Sequence, residues 1–167
     1  FLLPLFLLVV SRVLFPWLLP ASAQDAYITF RYARHLATGN GLVFNPGERV
    51  FGFTSAPWTL WSALGLWLVH DPVLWARGTS LLADAGALLL LTGLVRRYAG
   101  SISAWCFAIF FAVWPYFAAV AVSGMENGVL VFLCALAAVL LVRRSPAGGP
   151  VLGLVALWRP EGTVLAG

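Results

Sequence analysis

The chain has 167 residues, 62% of them hydrophobic and only 10% charged, with a mean hydropathy of +0.94. A soluble domain is roughly half apolar and about a quarter charged, so this composition excludes one and marks an integral membrane protein. The net charge of +4 comes from arginine alone, since there is no lysine, and the arginines are dispersed or paired at the ends of apolar runs; that pattern suits membrane topology and not nucleic-acid binding.

A helix needs about 20 mainly apolar residues to cross a hydrocarbon core of roughly 30 Å. On that measure the fold class is all-α, a polytopic transmembrane helical bundle, with spans predicted at about 1–20, 78–95, 102–122, 128–142 and 151–167. The chain begins at Phe1 and stops at Gly167 inside an apolar run, so it is read as the front part of a longer protein, cut at both ends. The first run carries Arg12 too deep for a signal-peptide core and is read as a retained span. Arg12 and Asp84 both lie about 10 to 14 Å inward from the outer ends of their segments at 1.5 Å per residue, a depth at which they are expected to form a buried ion pair.

Residues 21–75 are predicted to form one long outer loop. Within it, Ser22 to Thr38 reads as a helix on the membrane surface, regular over about 25–38, with Ala26, Phe30, Ala33 and Ala37 on one stripe and Gly39 as its stop. Leu42 to Phe44 is predicted to pair as a short strand, and Asn45-Pro46-Gly47 has turn chemistry. Pro57 to Val69, 13 residues, reaches only about 20 Å as a helix, so it is placed along the interface over about 57–69. If it crossed, Arg96-Arg97 and Arg143-Arg144 would share a side with the polar loop, against the usual cytoplasmic excess of positive charge. Trp58, Trp61, Trp67 and Trp75 are the residues expected at headgroup depth.

Ser123 to Asn127 becomes a second, short outer loop on the same face. Asp25 and Glu126 are then two acids presented together, able to hold a metal or to take a proton from a hydroxyl nucleophile. Each also has a plainer reading, since Ser22-x-x-Asp25 and Ser123-x-x-Glu126 both fit a helix capping box. For Arg31 and Arg34 the plainer reading is headgroup contact; for Arg159 it is pairing with an acid such as Glu161. His35 and His70 have no metal spacing. Cys106 and Cys134 sit in apolar runs and indicate neither a disulfide framework nor a zinc site.

The string Gln24-Asp25-Ala26-Tyr27-Ile28-Thr29-Phe30-Arg31-Tyr32-Ala33-Arg34, followed by Gly41-Leu42-Val43-Phe44-Asn45-Pro46-Gly47-Glu48-Arg49-Val50 and Gly52-Phe53-Thr54-Ser55, resembles the first periplasmic loop of GT-C glycosyltransferases. It looks most like the bacterial arabinofuranosyl- and mannosyltransferase-type members. Ser123-Gly124-Met125-Glu126 and Arg159-Pro160-Glu161-Gly162 resemble two later, shorter landmarks of that group.

The resemblance implies a multi-pass enzyme of the bacterial plasma membrane that moves a sugar from a polyprenyl-phosphate donor to a glycan, lipid or protein acceptor on the extracytoplasmic face, in cell-envelope synthesis. Asp25 matches the catalytic base and Glu126 the second-loop acid of the donor or metal site. Arg31, Arg34, Arg49 and Arg159 are the candidate phosphate ligands, because a guanidinium donates two parallel hydrogen bonds and keeps its charge. Gln24 stands where many relatives carry a second acid, and Phe51 where others carry one. A single base is therefore the simpler expectation, with a divalent cation at Asp25 and Glu126 the alternative. Other function classes remain open at this stage: a transporter or lipid-binding membrane protein, or an inactive scaffold relative.

Overall fold

The computed structural model describes residues 2–18, 24–48 and 50–159. Among the described residues there are helices and no strand: α1 Leu2–Leu18, α2 Gln24–Ala37, α3 Ala56–Leu68, α4 Pro72–Val113, α5 Pro115–Val122, α6 Asn127–Val142 and α7 Gly148–Trp158. By length and composition one described helix, α4, is long and apolar enough to cross a membrane; α5 and α6 join it only as a broken span, their axes turning by 114°.

The 42-residue α4 is not a single rod. Gly100 interrupts it at φ 83 and ψ 175, a left-handed φ that glycine adopts without penalty. On a straight helix Asp84 and Ala112 would lie roughly 42 Å apart at 1.5 Å per residue. Yet the guanidinium of Arg12 reaches both, donating from Nε to Asp84 Oδ2 at 3.0 Å and from Nη1 to the Ala112 carbonyl at 2.6 Å. The run is thus a helical hairpin, with limbs 72–99 and 101–113 side by side.

The boundaries differ from those expected for local reasons. The first limb begins at Pro72 and not near Gly78, because Asp71 Oδ1 accepts from the backbone N–H of Val73 and Leu74 at 2.8 and 3.0 Å and Pro72 suits the first turn. Residues 72–75 therefore belong to the helix and not to the loop. The expected span 102–122 is split at Trp114, where ψ is 121, since Pro115 offers no N–H to the carbonyl four residues back. The carbonyls this break orphans are met from α1: Arg12 Nη2 lies 3.4 Å from the Phe111 oxygen, and Ser11 Oγ donates to Ala112 at 2.7 Å. Residues 160–167 of the last expected span lie outside the described residues, and α7 starts at Gly148.

Packing sets the direction of each helix. Pro4 borders a hollow with Arg96 and Ser101 at the hairpin tip, whereas Trp17 lines another with Leu74 and Val122. So α1 runs from the tip toward the start of α4. α6 lies parallel to the first limb: a Cβ on Gly128 would meet Ser80, one on Gly86 would meet Phe132, and Arg97 and Arg143 share a groove. α7 returns alongside α6, Gly148 against Leu141 and Trp158 beside Trp58. The core between α1, the hairpin and α6 is rich in alanine: Leu8, Ala87, Leu88, Ala108, Ala112 and Ala135. Small side chains let apolar helices approach closely. The outward stripe of α1, Leu2, Phe6, Val9 and Val13, is apolar and exposed, as a lipid-facing surface is.

At one end of this bundle sit α2, α3 and the 123–126 loop; at the other sit Arg96-Arg97 and Arg143-Arg144. α3 and α4 join through a three-residue turn in which His70 takes φ 61. Indole N–H groups pin α3: Trp61 to Thr79 Oγ1, Trp75 to the Trp61 carbonyl, and Trp67 to the Ala37 carbonyl, all at 3.0 to 3.1 Å. Trp58 departs from the headgroup expectation, because it is fully buried beneath α2. The stripe of α2 also faces protein: Ala26, Phe30 and Ala33 are buried, packed on α3 and the 123–126 loop.

Arg12 and Asp84 have side chains 2% and 6% exposed, with Nη2 to Oδ2 at 3.0 Å. Removing one partner of a buried pair leaves the other charge uncompensated, which costs about 3 to 5 kcal/mol. Arg12→Ala and Asp84→Ala should each destabilise by that order, and the double variant by much less than their sum. A double-mutant cycle of unfolding that returned simple additivity would contradict the pairing.

Candidate functional site

α2 ends where its sequence dictates. Gly39 takes φ 82, and the backbone N–H of Asn40 and Gly39 donate to His35 and Leu36 at 2.9 and 3.1 Å, the paired bonds of a Schellman cap. The chain then turns at Asn45-Pro46-Gly47: Glu48 N–H donates to the Asn45 carbonyl at 3.1 Å, with Gly47 at φ 90. The strand expected over Leu42 to Phe44 is absent. Among the described residues no second strand lies alongside to pair with it, and the Phe44 carbonyl accepts from Arg31 Nε at 2.9 Å.

Two α2 side chains hold this loop. Arg31 also donates to Asn45 Oδ1 at 2.6 Å, its guanidinium 4.3 Å from the centre of the Phe44 ring. Tyr32, buried, donates its hydroxyl to the Val50 carbonyl at 2.7 Å, and its ring packs against Phe44 and Phe53. Gly52 passes so close that a Cβ there would lie 3.0 Å from the Tyr32 hydroxyl. The loop is thereby drawn back across α2 to Thr54 and Ser55. Ser55 caps α3 by accepting from Trp58 N–H; Thr54 reaches the second loop.

That second loop turns at Gly124, with φ 83. Its carbonyl accepts from the Trp58 indole at 3.1 Å, and a Cβ at this position would meet Ala26 and Phe30 at 3.2 Å. Ser123 does not cap α6: its hydroxyl donates to the Val120 carbonyl and accepts from Met125 N–H. Nor does the Glu126 carboxylate cap it. Instead Glu126 is fully buried, and its Oε1 accepts from Thr54 at 3.2 Å and lies 3.6 Å from Arg159 Nε. Arg159 also donates from Nη1 to Asn127 Oδ1 at 2.8 Å. Glu126 Oε2 and the Trp158 indole N–H are buried without a hydrogen-bond partner among the described residues. Buried polar atoms are nearly always satisfied in folded proteins, so each of these two has a partner to find outside the described residues, in water, substrate or the rest of the chain.

Asp25 stands in the first turn of α2, exposed, one residue from the Ala26 that touches Gly124. Its carboxylate is thus presented at the same end of the bundle as Glu126.

Over 86 residues the chain is 41% identical to a terminal β-(1→2)-arabinofuranosyltransferase of Mycobacterium tuberculosis. It resembles a sugar transferase. The aligned stretch covers 48% of this chain, and the chain spans 13% of the length of that relative. No protein-family profile and no solved structure matches.

Of the expected site residues, the structure brings Glu126 and Arg159 into contact and sets Asp25 on the helix packed against their loop. Arg31 is engaged in holding the first loop. Arg34 is exposed and borders, with Tyr27, Phe30 and His35, an open hollow whose Phe30 wall also touches Gly124. Arg49 lies outside the described residues, as does the Ser22 of the alternative capping reading for Asp25. Sequence reasoning missed Thr54 and Asn127, the hydroxyl and amide that orient the Glu126–Arg159 pair. Thr54 lies in the quoted loop string and Asn127 directly follows Glu126, so proximity to named residues was the available signal.

Gly124→Ala should separate α2 from the second loop. It places a side chain in a left-handed conformation that costs roughly 1 to 2 kcal/mol, and it drives a methyl group against Ala26 and Phe30. Thermal unfolding should show a stability loss of at least that size; an unchanged midpoint would contradict the close approach.

Proposed function

We propose that this chain carries part of the active site of a polytopic membrane glycosyltransferase that moves a sugar, of the arabinofuranosyl type, from a polyprenyl-phosphate carrier to an acceptor hydroxyl on the extracytoplasmic face. The observation that carries this reading is the packing of the Asp25-bearing helix on the loop of Glu126, a buried acid with one oxygen unpartnered among the described residues, beside a partly exposed arginine. The 41% identity to an arabinofuranosyltransferase and the first-loop resemblance support the same chemistry.

In this mechanism the acceptor oxygen attacks the anomeric carbon as the bond from that carbon to the phosphate oxygen breaks. The bonding pair leaves with the polyprenyl phosphate, and the acceptor's proton passes to the Asp25 carboxylate. Direct displacement inverts the anomeric centre. A phosphate is already a good leaving group, so positioning, proton removal and stabilisation of the developing charge are what the protein contributes. Arg159 is the phosphate ligand this geometry favours, because Glu126 and Asn127 fix its planar guanidinium while part of it stays exposed.

A divalent cation fits the described residues poorly. No three acidic, histidine or cysteine side chains among them converge, and the positive charge beside Glu126 is already a guanidinium. Under this reading Arg159 supplies the charge that a metal would otherwise bring.

The test uses the full-length protein with a polyprenyl-phosphate-linked arabinofuranose. Asp25→Asn should lower transfer by about 100-fold or more, the usual share of a general base, at normal expression and unfolding midpoint, and a chelator should leave the unmutated protein active. Full activity of Asp25→Asn would remove Asp25 from the mechanism, and loss of transfer on chelation would overturn the metal-free form.

A further inference from the structure

At the end of the bundle opposite the candidate site, the first limb of α4 and α6 finish side by side, each in an arginine pair. Between them runs a groove of about 150 Å³. Leu89, Gly93, Val139 and Val142 give it an apolar floor, and Arg97 and Arg143 stand on its rim. Neither rim arginine forms an ion pair or a side-chain hydrogen bond with any described residue; Arg97 has only the edge of a ring contact, 5.8 Å to the centre of Tyr98.

The five described acids offer these arginines no partner. Asp84 is bound to Arg12, Glu126 to Arg159 and Glu48 to Asn45; Asp25 stands on α2 at the opposite end of the bundle, and Asp71 precedes α4, roughly 39 Å from Arg97 along the helix at 1.5 Å per residue. Compensation of two helix C-termini explains why cations are favoured here, but it does not explain an apolar groove running between them. The floor is open to the surroundings, with Leu89 and Val142 exposed. Anything filling it must therefore be apolar along its length and anionic at its end.

We infer that the groove between α4 and α6 binds an anionic phospholipid, with one acyl chain lying over Gly93 and the phosphate held between Arg97 and Arg143. Guanidinium groups match phosphate oxygens in geometry as well as charge. Basic grooves between membrane helices at the arginine-rich end favour anionic headgroups. The inference rests on the membrane placement of the chain and is independent of sugar transfer. Gly93 provides a probe of the groove, because a Cβ built there meets nothing within 4 Å, so a side chain at this position enters open space on the groove floor.

The experiment takes the full-length protein in a neutral detergent and compares retention of phosphatidylglycerol and phosphatidylcholine of matched acyl chains by native mass spectrometry. Preference for phosphatidylglycerol should be roughly ten-fold or more, as two arginines beside one anionic headgroup provide. The double variant Arg97→Gln/Arg143→Gln should bring the two lipids close to parity. Gly93→Leu should expel the lipid with both arginines intact, while the unfolding midpoint in lipid-free detergent stays level or rises. Equal retention of the two lipids by the unmutated protein would overturn the inference. So would an undiminished preference in either variant, or equally effective competition by glycerol phosphate, which has no acyl chain. A protein that stays in solution without detergent would overturn the membrane placement itself, a result distinct from lipid-indifferent binding in detergent.

Discussion

The guanidinium of Arg12 is the point on which the bundle depends. A charge in an apolar interior is tolerated only when its donors are used, and these are spent on three different segments: Asp84 on the first limb of α4, Ser11 on α1, and the Phe111 and Ala112 carbonyls at the end of the second limb. The last contact is possible because Pro115 breaks the helix there and frees those carbonyls. One side chain thus holds the hairpin closed and fixes the place where α5 departs. From α5 the chain passes directly into Ser123–Glu126, so the position of the candidate site follows from a contact deep in the bundle.

Asp84 and Glu126 are both buried acids, and their surroundings differ in a way that separates structure from chemistry. Asp84 faces a guanidinium that is itself 2% exposed. Glu126 faces Arg159, whose side chain is 26% exposed, and keeps one oxygen unpartnered among the described residues. A sequence tends to break its own rules of polar satisfaction at functional sites. The incomplete pair is accordingly the one proposed to meet a substrate.

Features set by nearest neighbours were legible in the sequence. Gly39 ends α2, Asn45-Pro46-Gly47 turns, and the matched depths of Arg12 and Asp84 foretold their pairing across 72 positions. Features set by distant partners were not. Nothing local distinguishes Trp58, buried under α2, from Trp67, which is 65% exposed. Ser123-x-x-Glu126 has the spacing of a cap, yet the carboxylate turns to Thr54, also 72 positions away. Leu42 to Phe44 has strand character but no partner edge among the described residues, and Arg31 takes the carbonyl that a ladder would have used.

Asp25 and the Glu126–Arg159 pair are proposed to face one reaction centre. The structure of the full-length protein with a bound, non-transferable polyprenyl-phosphate sugar tests this most directly. The prediction is a phosphate in hydrogen-bond contact with Arg159 and an anomeric carbon with Asp25 on its acceptor side, one hydroxyl's width away. A sugar bound elsewhere, with Asp25 turned to solvent and Arg159 still closed on Glu126, would contradict it.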